Sequence, residues 1–127
     1  MAKGQRVITN IQIFNAKTIT KNTSVYSMIV DLRSIAAEGF FSLQYEITGS
    51  GVVTLEYQLC NQDSATDFLE PSSATNIGSS LSATTGPGAD GLDILPFSPE
   101  LARFLKIKAT ETGTAADAVI TAWLAVA

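Results

Sequence analysis

Residues 86–91, GPGADG, fit the spacing G-x-G-x-x-G. That spacing cradles a pyrophosphate when a strand runs into it and a helix leaves it, so that the helix N-terminus faces the phosphates. The flanks meet neither condition. SSLSATT precedes the glycines and is no buried parallel strand; LDILPFSP follows, and Pro96 and Pro99 exclude a long helix. Glu111 stands about 20 positions on, where a ribose-binding acid would be, but inside a β-rich segment. Gly86, Gly88 and Gly91 therefore read as turn residues.

The other reactive side chains are few. The chain has no histidine, which removes Ser-His-Asp triads, Cys-His dyads and histidine metal sites. Its one cysteine, Cys60, ends an apolar strand pattern and reads as a small core residue. Asp63, Asp67, Glu70, Asp90 and Asp93 fall in two loops. Carboxylates on neighbouring loops can hold calcium or work as a glycosidase pair, but this spacing matches no calcium loop. Of the aromatic residues, Tyr26, Phe68, Phe97, Phe104 and Trp123 stand outside the clearest core pattern and could form a platform for a sugar ring. The expectation is a non-enzyme with no catalytic residue, no cofactor and no metal.

The elements that carry these residues read as strands. In FFSLQYEITG, Phe41, Leu43, Tyr45 and Ile47 alternate with Ser42, Gln44, Glu46 and Thr48. In VVTLEYQLC, Val53, Leu55, Tyr57 and Leu59 alternate with Thr54, Glu56 and Gln58. Period two gives each run one core face and one wet face. Gly49-Ser50-Gly51 between them predicts a tight hairpin. RVITNIQIF (6–14), SVYSMIVDLRSI (24–35) and ARFLKIKAT (102–110) read as further strands, the second with Tyr26, Met28, Val30 and Leu32 on one side. AVITAWLAVA (118–127) is apolar on both faces, as in a strand buried inside a sandwich or under a neighbour. Pro71 and Pro96 suit edge strands, because proline cannot donate to a ladder. Helix signals are confined to LRSIAAEGF and SPELARF. The pattern predicts an all-β, antiparallel β-sandwich, jelly-roll-like, with little helix.

Composition narrows the partners. The 127-residue chain is the size of one domain, and its 16% of charged residues is low for a soluble monomer. A formal net charge of −4 argues against nucleic-acid binding through a basic patch. There is no apolar run of about 18 residues to span a membrane. MAKGQRVITN lacks the apolar run of a secretory signal, which predicts manufacture in a reducing cytoplasm. Residues 34–102 carry nine acids and no base, whereas residues 1–33 carry five bases and one acid. Either a basic end of one copy is guided onto an acidic face of another, or folding interleaves the charges. Residues 1–23 read as an N-terminal strand or arm, and 24–127 as a sandwich domain with a long Ser/Gly-rich loop at 72–93 that is either an arm lying on a partner or an ordinary mobile connection. The interaction candidates are Lys3, Arg6, Lys17 and Lys21 in the arm and Gly86, Gly88 and Asp90 in the loop.

The order of segments carries a resemblance. The run FSLQYEITGSGVVTLEYQLCNQD, a Ser/Gly-rich stretch, DILPFSPELARFLKIKATETG and the closing AVITAWLAVA together resemble small β-sandwich virion proteins of tailed bacteriophages and prophages. The resemblance covers residues 40–127. It implies a capsid decoration or cement protein that stabilises the head through homo-oligomeric contacts with the major capsid protein or other virion proteins, and it assigns no functional residues. It implies residence in the virion after synthesis in a bacterial cytoplasm. A tail or head–tail connector component, or a carbohydrate-binding module, are the alternative expectations.

Overall fold

A computed structural model describes residues 7–36, 38–72, 76–113 and 116–127. In chain order the strands are β1 (Thr9–Ile19), β2 (Ser24–Tyr26), β3 (Val30–Asp31), β4 (Phe41–Gly49), β5 (Val53–Cys60), β6 (Gly78–Leu81), β7 (Leu92–Phe97), β8 (Phe104–Glu111) and β9 (Ala118–Val126). They form two antiparallel sheets packed face to face. Sheet 1 has the order β1-β9-β4-β7; sheet 2 has the order β2-β8-β5-β6, with β3 also pairing with β8. Two four-strand paths interleaved in this way are two Greek keys, the wiring of a jelly roll. Among the described residues there is no helix. The LRSIAAEGF signal makes one turn, closed by Ile35 and Ala36 N–H on the Leu32 carbonyl, and SPELARF makes none.

Alternation builds the core as expected. Leu43, Tyr45, Ile47, Val53, Leu55, Leu105, Ile107, Ala109, Ile120, Ala122 and Leu124 are fully buried between the sheets. Phe97 ties the layers at one end, with its ring 5.5 Å from Phe41 in sheet 1 and 5.8 Å from Tyr57 in sheet 2.

The expected hairpin at Gly49-Ser50-Gly51 is corrected by the topology. β4 and β5 belong to different sheets, so the link crosses the sandwich rather than turning within one ladder. The physical reason is that two alternating strands bury the same residues whether they pair edge to edge or stack face to face. Gly51 is needed for closeness: a Cβ there would lie 2.9 Å from the Ala116 carbonyl oxygen and from Ala118 Cβ.

Three further readings change. The strand predicted over 6–14 runs from Thr9 to Ile19, past a register shift where Ala16 adopts φ +49° and its N–H reaches Thr121 Oγ1. Residues 9–19 of the predicted arm are thus part of sheet 1. The alternation over 24–35 breaks at Ser27, whose hydroxyl accepts the Ile107 N–H (2.9 Å) in place of a strand carbonyl. Tyr26 and Met28 are consequently exposed, whereas Val30 and Leu32 are buried. The stretch 72–93 is not one loop, because it contains β6 and the first two residues of β7.

Candidate functional site

The two outer faces of the sandwich differ in chemistry. On sheet 1 the register aligns Gln12, Trp123, Gln44 and Ile94 in one row across β1, β9, β4 and β7. The next row is Asn10, Ala125, Ser42 and Pro96. These side chains point away from the core because their strand neighbours Leu43, Tyr45, Leu124 and Val126 point into it. Neither row contains a charge. The small Ala125 leaves a depression of about 270 Å³ beside Trp123, also lined by Asn10, Gln44 and Ile94. A second, apolar hollow of about 310 Å³ continues to the rim through Ala125, Pro96, Phe40 and Ile8. Ile94 is 57% exposed, Phe40 56% and Ile8 62%.

The β7 edge of this sheet is closed to further strands, while β1 forms its other edge. The Ile47 N–H bonds the Gly91 carbonyl (3.0 Å), so the register directs the backbone groups of Leu92, Ile94 and Pro96 away from β4. Leu92 N–H is taken by Asp90 Oδ1 (3.3 Å) and Ile94 N–H by Asp93 Oδ1 (2.7 Å), and Pro96 has no N–H. All three outward donor positions of β7 are therefore occupied or missing. Blocking an edge in this way prevents a strand from adding to it.

The outer face of sheet 2 is charged. Lys106 Nζ sits 4.5 Å from the Tyr26 ring centroid and 4.6 Å from that of Phe68, clamping the β5–β6 loop to β8 by two cation–π contacts. Lys108 Nζ lies 3.6 Å from Glu70 Oε1 and directly across from Glu56. Arg103 pairs with Asp63 and lies over the Phe104 ring. A groove of about 940 Å³ runs beside these groups, between the 61–71 loop and residues 100–102, with Leu69 and the almost fully exposed Leu101 on its walls.

Partial burial, and then the nearby Glu70 carboxylate, push the Glu56 carboxyl above its ordinary value. Because the folded state holds that proton more tightly than the unfolded chain, Glu56 costs stability as pH rises from the ordinary carboxyl range through its raised value. Glu56→Gln is expected to raise the melting temperature at pH 7 and to leave it unchanged near pH 3. Melting curves across this range check it, and a gain of equal size at both pH values would refute the cause given.

The structure scatters the residues singled out from sequence. Lys3 and Arg6 lie outside the described residues. Lys17 is exposed on β1, and Lys21 is exposed in the β1–β2 turn, its backbone N–H on Asp117 Oδ1 (2.9 Å). Gly86, Gly88 and Asp90 lie in the β6–β7 loop, at the same end of the sandwich as Lys21 but across the width of sheet 1 from β1. Asp90 is spent on the Leu92 N–H and shapes a turn. Gly86 (φ +94°) and Gly91 (φ +82°) occupy the left-handed region, in agreement with the turn reading. Among the described residues, no three of His, Cys, Asp or Glu come together. Asp63, Asp67 and Glu70 instead bond separately to Arg103, Gln62 and Lys108. No helix among the described residues is long and apolar enough to cross a membrane.

What sequence reasoning missed is the row around Trp123. The signal was present in β9, whose outward residues Val119, Trp123 and Ala125 are apolar beside a single polar one, Thr121. Gln12 and Gln44 join Trp123 only through cross-strand register, which no local pattern contains.

No family model matches the chain, and no curated protein matches it. It is similar in trace to a chain in the solved "Structure of infectious bursal disease virus Gx strain", with a TM-score of 0.45 and 12% identity. The match covers 94% of this chain and 31% of that one. A likeness at that level carries no functional inference.

Proposed function

We propose that this chain is a non-enzymatic structural protein of a bacteriophage virion, most specifically a decoration or cement protein of the head. It is made in the bacterial cytoplasm and holds to the major capsid protein or other virion proteins as a homo-oligomer. The observation that carries the reading is the uncharged, partly apolar patch of two rows around Trp123 on the outer face of sheet 1, set on a two-layer frame. A face of that kind loses little solvation when a protein covers it. Weak contacts of this size become firm when many copies engage one lattice. The order of segments from residue 40 to 127 supports the same reading through its resemblance to phage virion proteins.

The test is co-sedimentation of the purified chain with empty phage heads and, separately, with tails. Saturable binding to heads is the expected result. Binding to tails alone moves the assignment to the tail or connector, and binding to neither sinks it. A second reading rests on the two glutamines flanking Trp123, a polar-framed aromatic of the kind that stacks on neutral sugars. In that case Trp123 fluorescence shifts with neutral oligosaccharides.

A further inference from the structure

We propose that the outer face of sheet 1, centred on Trp123, is the docking surface for a second copy of this chain, packed face to face about a twofold axis. The proposal rests on the reading of the chain as a contact-making structural protein and names the face that makes the contact. It starts from β9. This strand is apolar on both sides but for Thr121, yet only its inward side is covered: Ile120, Ala122 and Leu124 are buried by sheet 2, while Val119, Trp123 and Ala125 are only half-buried in the isolated chain. A strand apolar on both faces is otherwise typical of a sheet covered on both sides.

Charge selects the occupant. Covering sheet 2 would strip water from Lys106, Lys108, Glu56 and Glu70, a desolvation that the existing local pairs do not repay. Covering the Gln12–Trp123–Gln44–Ile94 and Asn10–Ala125–Ser42–Pro96 rows strips none. The charged Glu46 lies one row beyond, so the uncharged patch is these two rows; such a patch is complementary to another uncharged patch, and this chain offers one in itself. Two copies related by a twofold axis bring the same patch together, and such isologous contacts are the commonest way chains pair. The amides and hydroxyl of Asn10, Gln12, Gln44 and Ser42 surround the tryptophan with donors and acceptors, while Ile94, Phe40 and Ile8 extend the apolar part to the rim. At about 4.8 Å between strands and 6.8 Å between rows, the eight positions alone span roughly 260 Å². The rim residues extend this toward the roughly 800 Å² per partner of a standard interface. The blocked β7 edge excludes pairing by strand addition there, on the side of the sheet where Ile94 and Pro96 stand.

Sedimentation equilibrium of the whole chain tests this. The expected result is a dimer for the unaltered chain. Trp123→Glu and the surface change Gln44→Lys each raise the dissociation constant by about 30-fold or more. Thr54→Lys, on the outer face of sheet 2, leaves the dimer intact. Gln44→Lys sits at an exposed position and guards against a folding defect in the tryptophan variant. The proposal is overturned by an unaltered chain that stays monomeric, by a trimer or larger ring, by dimers insensitive to both sheet 1 changes, or by Thr54→Lys dissociating them. A monomer whose Trp123 fluorescence responds to neutral oligosaccharides overturns it in favour of a sugar platform. Dimers that sediment with neither heads nor tails sink the virion reading and leave this one standing. Monomers that bind heads do the reverse.

Discussion

Glu111→Ala lowers the free energy of unfolding by about 2–4 kcal/mol, the cost of leaving interior backbone donors without partners. Glu111 closes β8 and is buried between the sheets. Its Oε1 accepts the Asn22 N–H (3.0 Å) and its Oε2 accepts the Val52 N–H (3.0 Å). One carboxyl group thus ties the β1–β2 turn, the β4–β5 crossing and strand β8 at a single point. Asn22 depends on it, since a non-glycine residue at φ +58° is held there by its surroundings. Removing the side chain frees both donors and opens a void. For a chain of this length the melting temperature falls by roughly 10 °C. Glu111→Gln recovers part of the loss, because its amide retains one acceptor and turns a donor toward the other N–H. Thermal and urea melts of the three proteins measure the series. An alanine variant within 0.5 kcal/mol of the parent would show that the carboxyl group ties nothing.

Gly86→Ala has a comparable effect, about 3 kcal/mol, from strained backbone and a forced contact. A Cβ at Gly86 would lie 2.2 Å from the Leu92 carbonyl oxygen, and no side-chain rotation relieves it because the obstacle is backbone. Gly88→Ala in the same hexapeptide is close to neutral. Its Cβ would meet only the Asp90 carboxylate, at 3.1 Å, and that side chain can turn aside. The contrast tests what the glycines do. A phosphate cradle needs backbone approach to a ligand at several of them. A turn that launches β7 needs Gly86 and Gly91 and tolerates a side chain at position 88. Equal losses at 86 and 88 would refute the turn account.

Much of this fold was legible in advance, and the reasons for the gaps are specific. Alternation names the inward residues of β4, β5 and β8 because a buried face enforces period two. The same alternation is silent on which sheet a strand joins, so the Gly49-Ser50-Gly51 link reads as a hairpin when it is a crossing. β1 continues past Phe14 only because a local kink at Ala16 resets the register, and no propensity marks that residue. β6 hides in a Ser-rich stretch, since its four residues take their partners from β5 rather than from any pattern of their own. Pro96 was correctly informative as an edge residue. Asp90 and Asp93 looked like candidate ligands, yet both serve backbone donors next door. The tryptophan at the centre of the candidate face was visible, whereas the amides beside it are distant in sequence and become neighbours only in the assembled sheet.

The arrangement along β7 also governs how growth stops. A protein that works in many copies, as proposed for this chain, must reach high local concentration without polymerising. Strand-by-strand accretion is an open-ended process: each added edge templates the next, and fibres result. Asp90, Asp93 and Pro96 remove the donors from which such a chain reaction would start on this side of sheet 1. The face-to-face contact proposed above would be self-terminating, because each copy has one such patch and uses it once. The two carboxylates and the proline thereby close one of the routes to fibres, and they do so before any partner is met.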